Sequence, residues 1–200
     1  RISELTTLTG RTFALSLDND TVLAVAGGAD TISATNLTYA TNDLVVDTNL
    51  SDGDVFTLST DTDISATPVV VGMENFNVNV TSSFAGDTLP SSLAFNADNL
   101  RNSKLNFDVT NGSSNVTELV VTNLPIAVPV TSSSKFTKVA VSADTKAAVT
   151  YTGFATNLTL DSPGTLADVT ATVSATTIGT ISTDSDAAVT ITTAADTTIT

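Results

Sequence analysis

The sequence predicts an all-β fold, an elongated parallel β-solenoid, from its periodicity and its composition. A Val-Thr pair recurs at multiples of twenty residues, and short apolar or β-branched segments about ten residues apart lie between the pairs. Strands at such spacing, with turn residues between them, are typical of a sandwich, a barrel or a solenoid. A fixed period favours the solenoid, because each coil must match the coil beneath it. The pairs begin at Val109, Val149, Val169 and Val189, and Val130 begins a shifted copy.

The composition supports the same fold. Hydrophobic residues make up 41% of the chain but aromatic residues only 5%. Thr and Val carry branched Cβ atoms, which fit a pleated strand better than a helix. A narrow coil would hold one layer of small apolar side chains, with the phenylalanines at wider places or caps. Repeats of a β-sandwich remain the alternative fold, and strands ten residues apart fit a two-sided or a three-sided coil equally well.

The predicted strands follow in order along the chain, with Asn, Asp and Gly between them. These residues form turns because they tolerate positive φ angles and make local hydrogen bonds. The segment from Phe76 to Val80 alternates apolar residues with asparagines, which predicts a half-buried strand. The N-terminal strands are expected at residues 12–17, 22–26, 37–39, 44–46, 55–58 and 69–80.

The predicted organisation is one continuous elongated body in two parts. Residues 1–103 form an acidic β-rich part, whose stretch 81–103 is irregular and holds a loop, an insertion or a short helix at 97–100. Residues 104–200 carry the regular repeats, interrupted where Pro125 and Pro129 favour an edge or a bulge. We expect a fragment of a longer chain, because the sequence opens at Arg1 without an initiator Met.

Charge and residue types argue against several function classes. The net charge is −14, from 21 acidic and 7 basic residues, so nucleic acid and anionic membrane surfaces would be repelled. No apolar run approaches the ~20 residues that span a bilayer, and we predict no membrane insertion. The chain has no His and no Cys, which excludes histidine-based catalysis, disulfides and the usual zinc sites. With no Trp and two Tyr to bind sugar rings, we predict that the protein is not an enzyme.

Four pairs of aspartates are spaced at i and i+2. In a turn this spacing can place both carboxylates around one hard cation, and calcium is the natural candidate cofactor. The alternative is that these aspartates only form turns and keep a Thr-rich surface hydrated. The candidate ligands are Asp18 and Asp20, Asp52 and Asp54, Asp61 and Asp63, and Asp184 and Asp186.

Two segments resemble a sequence pattern that is common in bacterial surface-layer (S-layer) proteins and large secreted RTX-like adhesins. Residues 27–32 read GGADTI and residues 71–78 read VGMENFNV, and the resemblance covers about residues 10–80. It implies a calcium-bound β-solenoid that is exported and assembles into a lattice or sheath on the cell. The glycine-rich calcium nonapeptide of β-rolls is absent from this sequence.

The predicted function is therefore structural. We expect an extracellular protein of a cell-surface layer whose partners are copies of itself, in contact through lateral, calcium-assisted packing. Cell-surface polysaccharide is a further expected partner. The alternative is an adhesin stalk or phage-fibre module that recognises a surface glycan, for which Phe76, Phe84 and Phe95 are the candidate aromatic residues.

Overall fold

The computed structural model confirms the parallel β-solenoid. It describes residues 9–24, 27–81, 91–110, 116–125, 128–143, 149–155, 157–161, 169–173, 177–178, 189–193 and 198–199, which contain strands but no helix. None of the described residues belongs to a helix that could cross a membrane. The strands are β1 Thr12–Ala14, β2 Thr21–Leu23, β3 Thr31–Thr35, β4 Leu44–Val46, β5 Val55–Thr60, β6 Val69–Val71, β7 Asn75–Val80, β8 Ser92–Asn96, β9 Leu100–Arg101, β10 Lys104–Val109, β11 Glu118–Leu124, β12 Val130–Ser132, β13 Lys138–Ala143, β14 Val149–Gly153, β15 Asn157–Asp161, β16 Val169–Val173, β17 Thr177–Ile178, β18 Val189–Thr193 and β19 Thr198–Ile199.

Stacked strands form the sides of the solenoid. Sheet A contains nine strands in the order β1-β3-β5-β7-β10-β12-β14-β16-β18, and its pairings are parallel. Sheet B contains β2-β4-β6-β9, sheet C contains β8-β11-β13-β15, and β17 pairs with β19. Sheet A therefore runs through the described part of the chain, whereas sheet B belongs to the N-terminal coils and sheet C belongs to the later coils.

The coils differ in length, which the register of sheet A shows directly. Thr12 pairs with Thr31, Thr31 with Val55, Val55 with Asn75 and Asn75 with Lys104, so these coils span 19, 24, 20 and 29 residues. The longest coil contributes strands to all three sheets, through β7, β8 and β9. Coils with two strands and a coil with three strands thus occur in one solenoid.

The C-terminal coils follow the predicted period. Val149, Val169 and Val189 pair in register, twenty residues apart. The earlier Val-Thr pairs do not belong to this row, because Val130 pairs with Tyr151 and Val109 pairs with Val80 at the end of β10. Val109 therefore keeps the forty-residue distance to Val149 along the sequence without lying in the same row of the sheet.

The stretch expected to be irregular is crossed by continuous sheet A, because β7 and β10 pair over six residues. The part of 81–103 that the structure describes contains β8, a turn and β9 rather than a short helix. The register of β11 against β13 shifts between Val121 and Leu124, next to Pro125, where a bulge was expected. Residues 82–90 lie outside the described residues.

The interior contains aromatic side chains that contact one another from coil to coil. Phe56 and Phe76 stack with ring centroids 4.6 Å apart and an 8° interplanar angle. Tyr39 and Phe95 meet Phe76 edge-on, and Phe107 meets Phe95 in the same way. Side chains alternate along each strand, so these rings face inward while their neighbours face outward.

Candidate functional site

Acidic side chains stack at the corner where the chain enters sheet A. Asp30, Asp54 and Glu74 each come directly before a strand of this sheet, and the register of the strands places them above one another. The main-chain N–H of Asp30 donates to Asp54 Oδ1 at 2.6 Å, and the N–H of Asp54 donates to Glu74 Oε2 at 2.6 Å. The N–H of Arg11 donates to Asp30 Oδ1. Each carboxylate thus accepts the N–H of the preceding coil.

Two further carboxylates join this corner from the segment between β4 and β5. One oxygen each of Asp30, Asp47 and Asp54 lie within 4.8 Å of one another, and the same holds for Asp52, Asp54 and Glu74. We call these five residues the acidic cluster. Asp54 belongs to both groups, so the acidic cluster is one connected array of carboxylates.

Two glycines allow the backbone conformations of the turns that bring these carboxylates together. Gly53 has a φ of +93° and separates Asp52 from Asp54 in the cluster. Gly72 has a φ of +85°, and a Cβ at this position would lie 2.5 Å from the main-chain oxygen of Asp47. Left-handed φ angles cost little for Gly and more for residues with a Cβ.

The acidic cluster holds buried oxygens without hydrogen-bond partners. These atoms are Asp47 Oδ2, Asp52 Oδ1, Asp54 Oδ2 and Glu74 Oε1. In each case the other oxygen accepts a main-chain N–H, for example from Gly27 to Asp52 Oδ2 at 2.6 Å. Each of these four carboxylates is therefore half satisfied by its own fold.

The environment of Asp54 shifts its protonation. Burial, the hydrogen bond that a protonated Asp54 can share with Asp47, and the negative charges of Asp47 and Asp52 raise the pKa of Asp54 to about 7, against the opposing effect of the hydrogen bond from the N–H of Asp30. Asp54 is fully buried. A group in this position resists carrying a charge unless a proton or a cation compensates for it.

A pH dependence of folding follows from this pKa. In chelator, we expect the free energy of unfolding to fall as the pH rises from about 4 to about 7, because folded Asp54 keeps its proton in that range and unfolded Asp54 does not. The expected loss is on the order of 3 kcal/mol. Urea unfolding followed by circular dichroism at pH 5 and pH 8 measures it. Asp54→Asn should flatten this difference, and an equal slope in that variant would contradict the assignment.

Asp43 shows how the same fold satisfies a buried carboxylate completely. It precedes β4 in the corresponding corner of sheet B and is 1% exposed. The N–H of Asp20 donates to Oδ1 at 2.9 Å, and the N–H of Ala40 donates to Oδ2 at 2.8 Å. Asp43 has no oxygen among the unpartnered ones and serves as an internal comparison for the acidic cluster.

The predicted aspartate pairs take different places. Asp52 and Asp54 lie in the acidic cluster, and neither of its two carboxylate groups includes Asp18, Asp20, Asp61 or Asp63.

Those four residues make local or cross-coil hydrogen bonds. The N–H of Ser16 donates to Asp20 Oδ2, and the N–H of Asp18 donates to Ser16 Oγ. Asn36 Nδ2 donates to Asp61 Oδ1, and the N–H of Ala94 donates to Asp63 Oδ1. The contacts of Asp18 and Asp20 lie within a turn, whereas those of Asp61 and Asp63 join different coils.

Other expected residues divide between the interior and the part of the chain left undescribed. Phe76 and Phe95 are buried in the core, where they cannot form a platform for a sugar ring. Phe84, Asp184 and Asp186 lie outside the described residues.

Sequence reasoning missed Asp30, Asp47 and Glu74. The sequence does contain a signal for Asp30 and Glu74. An acidic residue lies two positions before a large apolar strand residue in three places, before Ile32, Phe56 and Phe76. Only the register of the coils shows that these positions stack. No protein-family model, curated protein or solved structure matches this chain.

Proposed function

We propose that this chain is a structural segment of a bacterial cell-surface layer or sheath, which assembles outside the cell by lateral contact between copies. The observation that supports this proposal is the outer face of sheet A. This sheet runs the length of the described solenoid, and it presents an uncharged row to the outside.

We call this row the neutral row. It takes one register position from each of the nine strands of sheet A, and this position faces outward on the strands whose side chains the structure describes. All of its members are small or polar and none is charged, in a chain with a net charge of −14. The neutral row consists of Ala14, Ser33, Thr57, Asn77, Asn106, Thr131, Thr152, Thr172 and Thr192.

Side chains in the neutral row hydrogen-bond one another. Asn106 Nδ2 donates to Asn77 Oδ1 at 2.9 Å, and Thr131 Oγ1 donates to Asn106 Oδ1 at 2.6 Å. Because neighbours in the row satisfy part of its polar groups, a second copy can cover it without burying a charge. The remaining acidic surface repels copies at a distance, so salt or calcium in solution assists their approach.

Both faces carry charged side chains beside their uncharged positions. The outward positions of sheet C include Glu118, Lys138 and Asp161, and those of sheet A include Lys104 and Asp108 on β10. Sheet A is favoured because its uncharged row extends over nine strands, whereas sheet C contains four.

A matched pair of variants tests the face. Thr152 lies in the neutral row on β14, and Thr159 faces outward on β15 of sheet C, both being exposed. We expect the parent chain to form ordered sheets or filaments with millimolar calcium, seen by electron microscopy and light scattering. Thr152→Glu should stay monomeric, because each contact would bury an unpaired carboxylate, whereas Thr159→Glu should assemble like the parent.

Two results would overturn this proposal. A parent chain that stays monomeric both in calcium and in chelator has no lateral contact to explain, and the glycan-binding stalk then becomes the better account. Equal loss of assembly in Thr152→Glu and Thr159→Glu would show that total charge, and not the neutral row, controls association.

A further inference from the structure

The four unpartnered oxygens of the acidic cluster require a compensating charge. Asp47 is 2% exposed and Asp54 is fully buried, so water cannot solvate their carboxylates freely. An ionised carboxylate in such a place is costly unless it is paired or coordinates a metal. Asp43 avoids this cost through two main-chain N–H donors, which the unpartnered oxygens of the acidic cluster lack.

The surrounding sequence supplies no cationic side chain for this purpose. Residues 12–100 contain no Lys and no Arg. The flanking Arg11 and Arg101 each direct a guanidinium N–H to a main-chain oxygen, of Leu23 and Leu100 respectively. A cation from solution is therefore the natural counter-charge for the cluster.

The geometry of the cluster suits one cation in particular. Calcium binds six to eight oxygens at 2.3–2.6 Å, so two ligand atoms on one ion are at most about 5 Å apart. In each group of the acidic cluster, one carboxylate oxygen of each residue lies within 4.8 Å of the corresponding oxygens of the other two residues. Magnesium demands a tighter octahedron and keeps more of its water, and zinc prefers nitrogen and sulfur ligands.

We propose that Asp30, Asp47, Asp52, Asp54 and Glu74 form an inter-coil calcium site, in which the unpartnered oxygens coordinate the ion. Each group of three carboxylates comes from two successive coils, and the two groups share Asp54, so the site joins the turns that lead into β3, β5 and β7. Calcium then acts inside each copy as a folding cofactor. This role is independent of the lateral contact through the neutral row, and it can be measured on a monomer.

Thermal unfolding of the whole chain with and without calcium tests the site. At a free calcium concentration a hundred times Kd, we expect the Tm to rise by about 5–10 °C relative to chelator. Isothermal titration calorimetry with calcium chloride should show saturable binding, which magnesium chloride at the same concentration does not reproduce. Both measurements are made at low salt, on samples that light scattering shows to be monomeric.

Two variants separate binding from damage to the fold. Asp54→Asn should lose the calcium-dependent rise in Tm, yet in chelator it should be at least as stable as the parent, because it removes a repelled carboxylate. Asp43→Asn should lower the Tm in both conditions and keep the calcium-dependent rise, since it alters a buried carboxylate outside the cluster.

The proposal fails if the Tm of the parent chain is the same in calcium and in chelator, or if Asp54→Asn gains as much from calcium as the parent does. If the chain assembles but its Tm does not depend on calcium, the lateral contact is supported and the calcium site is contradicted. If calcium raises the Tm of a monomer that never assembles, the calcium site is supported and the lateral contact is contradicted.

Discussion

Replacing Phe76 by Ala should lower the free energy of unfolding by about 3–5 kcal/mol. Phe76 is fully buried and lies at the centre of the aromatic interior, stacked on Phe56 and met edge-on by Tyr39 and Phe95. The substitution removes three ring contacts and leaves a cavity that rigid strands on both sides cannot close. Urea unfolding followed by far-ultraviolet circular dichroism, with calcium held constant, measures the loss.

Phe13 provides the control for this effect, because it occupies the same interior row at the start of sheet A. The register runs from Phe13 to Ile32, Phe56 and Phe76. Phe13 is only half-buried, so Phe13→Ala should cost about 1 kcal/mol. If Phe13→Ala and Phe76→Ala lower the free energy of unfolding equally, the ring contacts of Phe76 add no more stability than the half-buried side chain of Phe13.

The difference between these two positions illustrates what the sequence could predict. Alternation along a strand identifies Phe76 as inward-facing, and the parallel β-solenoid follows from composition and spacing. The sequence does not show that Phe56 lies against Phe76, because their contact depends on the length of the intervening coil. Coil length is set by turns at the corners, and these vary without disturbing the ladder of the sheet.

The same limit explains the partial prediction of the site. Asp52 and Asp54 are neighbours along the chain, so a local pattern found them. Asp30 and Glu74 lie 24 and 20 residues from Asp54 and approach it only through the register of β3, β5 and β7. The two segments on which the resemblance rests, GGADTI and VGMENFNV, contain Asp30 and Glu74, but the resemblance does not place these residues beside Asp54.

The pairs that remain outside the cluster show why spacing alone is weak evidence. Asp18 and Asp20 have the same i, i+2 spacing as Asp52 and Asp54, but neither belongs to a group of three carboxylates, and the Asp43 carboxylate that reaches Asp20 accepts its main-chain N–H. Among the described acidic residues, each group combines two carboxylates of one coil with a third from an adjacent coil. A motif within one short segment cannot show which residues of the adjacent coil lie beside it.

Replacing Gly72 by Ala should strongly destabilise the protein. A Cβ at Gly72 would lie 2.5 Å from the main-chain oxygen and 3.0 Å from the carbonyl carbon of Asp47, and both are backbone atoms that cannot turn aside. The φ of +85° adds strain of about 1–2 kcal/mol for a residue with a Cβ. We expect a total loss of about 3 kcal/mol or more in the free energy of unfolding, measured by urea titration.

Gly53→Ala isolates the close contact from the backbone strain. Gly53 has a similar φ of +93°, but the nearest atom to its added Cβ is the Ala29 Cβ at 3.8 Å, which is an ordinary contact. Gly53→Ala should therefore cost about 1–2 kcal/mol, from strain alone. The excess loss in Gly72→Ala measures how tightly β6 and the Asp47 turn are stacked, and since Asp47 must then shift, calcium binding should weaken in Gly72→Ala. Equal losses in the two variants would mean that the coils can separate at this corner, and a rigid inter-coil site for calcium would then lose its structural basis.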